Sequence, residues 1–287
     1  MSEYILQVED LCFRYGRYEA LSHLNFSLKG GHLVGLLGRN GAGKSTLINI
    51  LLSILRPTSG RALIAGVPPR ERPAPLKRLC VVREKALYPP SIRVGQALAA
   101  CRDLYPNWDA QYEEKLLTLF ELNPRKRARQ LSRGMESALG LVIGLCSRAP
   151  LTIFDEPSLG LDAVARENFY EQLRLDMAAH PRTVIISTHL IDEAAALFDE
   201  VLIVNRGRLL IHSRVEDLLP TAVTLSGEES AVRRAAQGHE ILHESALNGV
   251  CQISVRCAPR EQFEGVTAEP LPLQKLFVYL TEGGDAQ

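Results

Sequence analysis

GRNGAGKST, Gly38 to Thr46, is the stretch on which the fold turns. Gly38, Arg39, Asn40, Gly41, Ala42, Gly43, Lys44, Ser45 and Thr46 fit the pattern G-x-x-x-x-G-K-[ST]. Average residue usage gives a chance match in a chain of this length only ~0.01 times, so a mere glycine-rich turn is set aside. The context agrees. LVGLL (33–37) before it is an unbroken apolar run, as in a strand buried on both faces. STLINILLSIL (45–55) after it has helical apolar spacing and stops before Arg56 and Pro57. Glycines in a strand-to-helix loop let main-chain N–H groups turn inward around phosphates. The helix N-terminus adds a partial positive charge. Lys44 is then placed to reach β- and γ-phosphates, and the Ser45 hydroxyl to ligate Mg2+.

Two further strand ends carry chemistry. LTIFDEP (151–157) is a buried strand ending in two adjacent carboxylates. Ligands of open parallel sheets gather at such carboxyl ends. Asp155 is placed to hold Mg2+ through water, and Glu156 to orient or deprotonate a water attacking the γ-phosphate. TVIIS (183–187) is followed by THL, so His189 sits at another carboxyl end, able to hydrogen-bond the γ-phosphate or that water.

YILQV (4–8) and LNFSL (24–28) read as short strands with the turn-like FRYGR between them. RALIAG (61–66), LCVV (79–82) and EVLIVN (200–205) add more, and VPPRERPAP (67–75) reads as surface loop. Residues 93–147 are helical in texture, and a long amphipathic helix is predicted from Val164 to Ala179. Strands alternating with helices imply an α/β fold with a mostly parallel sheet and an inserted helical subdomain. The division expected is a domain of residues 1–219, its helical subdomain at about 90–148, and a small C-terminal α/β accessory unit, 220–287. The closing segment carries Leu273, Leu276, Phe277 and Leu280 on one helical face. That stripe is read as packing onto its own small sheet, with a partner-binding groove as the alternative.

Of the 287 residues, 46% are hydrophobic and 23% charged, which excludes disorder. Lys+Arg and Asp+Glu are 33 each, against a chain that coats nucleic acid. Residues 1–150 hold 22 basic and 12 acidic side chains, and residues 151–287 hold 11 and 21. A basic first part suits a polyanionic ligand. Six scattered cysteines without C-x-x-C read as reduced thiols. No apolar stretch reaches the ~18 residues of a membrane span.

The ordered motifs resemble those of the ATP-binding cassette (ABC) ATPases. LSRGM (131–135) is similar to the family signature LSGGQ, with Ser132 placed 23 residues before Asp155. SLGLD (158–162) resembles the D-loop, with Asp162 its aspartate, and FRYG (13–16) puts Tyr15 where the family stacks an aromatic on adenine. His189 matches the switch histidine. The resemblance covers residues 3–215.

It implies a P-loop NTPase core that binds ATP and Mg2+ and hydrolyses ATP. It implies a homodimer in which Ser132 and the Gly134 N–H meet the γ-phosphate held by the other subunit. It also implies an integral membrane permease subunit as partner, and a peripheral place on the cytoplasmic face of a bacterial inner membrane. Arg133, Met135, LYPNWD (104–109) and LPLQKLFVYL (271–280) look like the branch of exporters of drugs, peptide antibiotics or ions. A soluble cassette acting on nucleic acid or ribosomes predicts tandem cassettes or a coiled-coil insertion, and neither is visible. A nucleotide-dependent regulator with little turnover predicts a missing Glu156 or His189, and both are present. One departure leans that way: Arg83 stands where the family's Q-loop glutamine is expected. Arginine cannot accept a hydrogen bond or ligate a metal, so either Glu84 takes over or coupling differs here.

Overall fold

The computed structural model describes residues 3–69, 75–83, 88–247 and 250–282. Its centre is a six-stranded sheet in the order β5-β6-β7-β3-β8-β9. These strands are β3 (Leu33–Leu37), β5 (Leu79–Arg83), β6 (Leu151–Asp155), β7 (Thr183–Ser187), β8 (Glu200–Asn205) and β9 (Arg208–Arg214). All pairs are parallel except β8–β9. The inner strands β3 and β7 are buried at every residue, which explains their continuous apolar runs.

A three-stranded antiparallel sheet, order β2-β1-β4, joins β1 (Tyr4–Tyr15), β2 (Tyr18–Lys29) and β4 (Ser59–Ile64). Two short strands separated by a turn-like FRYGR were expected here. The structure instead has one long hairpin that turns only at residues 16 and 17. The reason is register: the β1–β2 ladder shifts at Val8/Leu11 and Leu11/Phe13, and Asp10 and His23 take positive φ. Such bulges break the alternation of two that marks a strand.

One core cluster holds this hairpin, one face of the central sheet, and helix α1 (Lys44–Leu51). α1 is shorter than expected, because Ser53 leaves the helical region at φ +60°. The other cluster holds the opposite sheet face and the helical insertion between β5 and β6: α2 (Val94–Leu104), α3 (Ala110–Leu119) and α4 (Arg133–Ser147). Gly144 lets α4 lie directly on the sheet: a Cβ there would overlap the Phe154 ring. α5 (Ala163–Ala179) contributes Phe169, edge-on to Phe154 at 5.2 Å. A short helix, α6 (Ile191–Ala194), follows β7, and α7 (Val215–Leu218) follows β9.

The C-terminal sheet has the order β11-β12-β10-β13, from β10 (Ala222–Gly227), β11 (Glu240–Leu247), β12 (Val250–Arg256) and β13 (Thr267–Pro270). With α8 (Glu229–Ala235) it encloses a small core of Leu225, Val232, Ala236, Cys251, Ile253 and Val255. The closing helix α9 (Leu273–Glu282) does not bury its stripe there. Leu273 and Leu276 belong to the large cluster, with Ile191, Ala194 and Val201. The expectation of a stripe on its own sheet holds only in part: the same cluster takes in Ala222 of β10 and Leu242 of β11, so the stripe bridges the C-terminal sheet and the main core.

Candidate functional site

Leu36 of β3 and Asp155 of β6 both pair with Ser187 of β7, so the three carboxyl ends lie level. A cavity of about 890 Å³ opens above them. It is lined by Gly38 through Thr46, Asp155, Glu156, Leu159 and His189, with Tyr15, Tyr18, Ala20 and Phe277.

The loop floor is shaped by Gly43 at the start of α1. Its φ is +107°, and a Cβ there would lie 2.7 Å from the Ala20 carbonyl oxygen. Only glycine fits both demands. Lys44 is 8% exposed and donates through Nζ to the Gly38 carbonyl at 2.5 Å. Burial lowers its pKa, against the opposing pull of Glu156 and Asp155. Such an ammonium gains from an anion that enters the loop. Ser45 is exposed to the cavity, and Asp155 faces the same space.

Successive strand residues point to opposite faces, yet Asp155 and Glu156 both line the cavity. Glu156 manages this by leaving the strand in the left-handed region, φ +54°. That costs a non-glycine residue about 1–3 kcal/mol, and the bond from its N–H to the Ser187 carbonyl at 2.8 Å holds it. His189 Nδ1 lies 2.8 Å from Glu156 Oε2. A carboxylate only accepts, so Nδ1 carries the proton and the second carboxylate oxygen stays available to water.

Tyr15 is half-exposed, edge-on to Phe13 at 4.8 Å, with its hydroxyl 3.5 Å from Thr46 Oγ1. Tyr18 donates from its hydroxyl to the Gly41 carbonyl at 3.4 Å. The remaining expected residues lie elsewhere. Ser132 caps α4, accepting from Met135 N–H at 3.3 Å, and Asp162 caps α5, accepting from Ala165 N–H at 2.8 Å. With Gly134, Gly160 and Val164 they line a separate hollow of about 560 Å³. Within one chain, then, the hollow at the start of α4 and the cavity at Gly38–Thr46 share no lining residue.

Known proteins give the arrangement its class. A family profile described as ABC transporter matches residues 21–159. The Nod factor export ATP-binding protein I of Cupriavidus metallidurans is 31% identical over 225 residues, spanning 76% of this chain and 74% of that protein. The chain belongs to the ABC transporter family. It is an ATP-hydrolysing ABC cassette. The probable multidrug ABC transporter ATP-binding protein YbhF of Escherichia coli is 30% identical to it over 222 residues, 75% of this chain and 38% of YbhF. A solved ATP-binding subunit of an ABC transporter superposes with a TM-score of 0.68 at 27% identity, covering 74% of this chain and 91% of that one.

In this ABC cassette, Arg83 ends β5 opposite Asp155, and its Nη2 donates to Asn49 Oδ1 of α1 at 2.5 Å. It does not line the phosphate cavity. Glu84, the alternative at the Q-loop position, lies outside the described residues. Sequence reasoning missed Tyr18, Leu159 and Phe277. Tyr18 had a signal, an aromatic two residues beyond the FRYG turn. Phe277 had none, because nothing in sequence links residue 277 to the phosphate loop.

Proposed function

We propose that this ABC ATPase is the motor subunit of an exporter, working as a homodimer on an integral membrane permease subunit at the cytoplasmic face of the membrane. The observation that carries the proposal is the pair of half-sites. The phosphate cavity has a lysine, a carboxylate base and a histidine, while the signature helix end lies in another hollow of the same chain. Two copies face to face would bring each signature onto the other's cavity. The N-terminus of α4 then offers Ser132 and the Gly134 N–H to an anion. A relative whose name specifies export, the Nod factor export ATP-binding protein I, supports the direction of transport. No helix among the described residues is long and apolar enough to cross a membrane.

Mg2+ fits the residues present. Ser45 and Asp155 offer a hydroxyl and a carboxylate on one cavity, and no cluster of three or more metal-binding side chains occurs among the described residues. That suits an ion bound mostly by phosphate oxygens and water. When bound, it neutralises charge on the β- and γ-phosphates. Tyr15 stacks on the adenine. Gly38–Thr46 cradles the phosphates by main-chain N–H groups, and Lys44 exchanges the Gly38 carbonyl for phosphate oxygens. Glu156 takes a proton from a water molecule as the water oxygen bonds to the γ-phosphorus and the bond to the β,γ-bridging oxygen breaks, leaving ADP and phosphate. His189 fixes the carboxylate and meets the γ-phosphate, and Asp162 sits at the seam beside the signature.

Glu156→Gln tests this. With MgATP the variant is expected to run as a dimer on gel filtration and to hydrolyse ~100-fold or more slowly, the range of one general base. Turnover at the parent rate would remove Glu156 from its role, and a monomer under the same conditions would remove the face-to-face dimer. Recovery of a multi-spanning membrane protein with the tagged full chain tests the permease.

A further inference from the structure

The closing helix α9 reaches the histidine side of the phosphate cavity, although it comes from the far C-terminal unit. Its Gln274 Oε1 accepts from the Asp192 N–H at 3.3 Å. Asp192 sits in the first turn of α6, where N–H groups lack intrahelical partners. The N-cap of α6, Leu190, offers no side-chain acceptor, so Gln274 supplies one from outside. α6 begins two residues after His189. One helical turn beyond Gln274, Phe277 lines the cavity together with His189, Glu156 and Leu159. Below these, Leu273 and Leu276 pack in one core with Ile191 and Ala194 of α6.

The same helix is tied to the C-terminal sheet. The Tyr279 ring stacks on His243 of β11, with centroids 4.4 Å apart and planes 6° from parallel. Residues 277 and 279 are about 200° apart around a helix. One side of α9 thus faces the hydrolytic cavity and another the accessory sheet.

We propose that α9 is the element that positions His189, with Gln274 and Phe277 as its positioning residues. Gln274 fixes the start of α6 and so the height of the preceding loop. Phe277 puts an apolar ring on the wall of the cavity that the imidazole also lines, and so restricts the space open to it. With the His189 loop held from behind, Nδ1 stays in reach of Glu156. The C-terminal unit thereby gains a mechanical connection to the step that cleaves ATP. This inference rests on the reading of Glu156 and His189 given above.

The test uses the full-length chain and MgATP hydrolysis, in steady state and in single turnover. Gln274→Ala and Phe277→Ala are each expected to lower kcat about two- to tenfold, the worth of one neutral hydrogen bond or contact. KM for MgATP should stay within about twofold, since neither residue belongs to the phosphate loop. Gln274→Glu keeps the acceptor and Phe277→Leu keeps an apolar wall, so both should recover most of the rate. Combined with His189→Ala, the Gln274 and Phe277 substitutions should slow single turnover no further, as expected of residues acting through one group. A parent-like kcat in both alanine variants overturns the proposal, as does a loss that adds in full to that of His189→Ala. A KM rise at constant kcat overturns it too, because it places the residues in binding. If His189→Ala itself turns over like the parent, the site assignment fails along with it. Parent-like Gln274 and Phe277 variants beside a slow His189→Ala defeat this inference alone.

Discussion

Lys44→Met separates two roles of one side chain. In the free protein Lys44 is 8% exposed, and burial disfavours its charge. The Gly38 carbonyl and the neighbouring carboxylates offset that cost. Methionine fills similar space without charge, so desolvation is relieved while the hydrogen bond is lost. Each is worth about 1–3 kcal/mol with opposite sign, so the net change in the free protein is within about 2 kcal/mol. Nothing offsets the loss once ATP is bound. A charge-assisted bond to phosphate is worth about 1.5–3 kcal/mol, or roughly a 10- to 150-fold weaker Kd. Thermal melts with and without MgATP read both quantities. At 100 times the parent Kd the parent gains about 2.7 kcal/mol, while the variant gains about 1.4 or less. At ~2–4 °C per kcal/mol for a domain of this size, the two ligand shifts are distinguishable. A variant that keeps the parent's shift would show that Lys44 does not hold the phosphates. A free variant melting ~10 °C or more below the parent would make Lys44 a brace of the loop instead.

Asp176→Ala should destabilise the chain by about 3–5 kcal/mol in urea titration, because it strands a buried guanidinium: Arg182 and Asp176 pair at 2.6 Å with side chains 5% and 2% exposed. Ser132→Ala should lower turnover and leave ATP affinity of the single chain unchanged, with a cap loss of about 1 kcal/mol in the melt; weaker binding to an isolated chain would place the signature in its own chain's site. Gly144→Val should lower soluble yield and melting temperature through overlap with Phe154, and a parent-like melt would show that α4 does not lie tight on the sheet. Chelation of Mg2+ by EDTA should reduce hydrolysis to background, and persistent turnover would remove Ser45 and Asp155 from metal binding.

The site divides by how its residues are linked. Gly38–Thr46, Asp155, Glu156 and His189 each follow a buried apolar run, and a parallel sheet carries such strand ends to one level. The run and the polar residue after it can be read together, so their convergence is legible from the residues alone. The hairpin is not, because left-handed residues at Asp10 and His23 shift its ladder and spoil the alternation. β9 escapes sequence reading for another reason. It is an edge strand with no fully buried residue, and its RLLIHSR puts Leu210 on the exposed face and Ser213 on the half-buried one. Phe277 enters the cavity by tertiary packing alone. The Arg83 tether to Asn49 depends on a side chain reaching across from β5 to α1, which no spacing rule encodes.

The helix starts around the two half-sites show how stability is set aside for binding. α4 and α5 begin with side-chain caps from Ser132 and Asp162. α1 begins at Gly43 with no side-chain cap. A serine or aspartate cap at that place is worth about 1 kcal/mol, yet Gly43 must adopt φ +107° against the Ala20 carbonyl. The amide groups of that first turn are therefore left for a phosphate. Glu156 adds strain of the same order at the next strand end. The uncapped first turn of α1 is satisfied when an anion fills the loop, whereas the Glu156 strain is held by its N–H bond to the Ser187 carbonyl. An uncapped helix start at the cavity implies that nucleotide loading should tighten it before any partner closes over it.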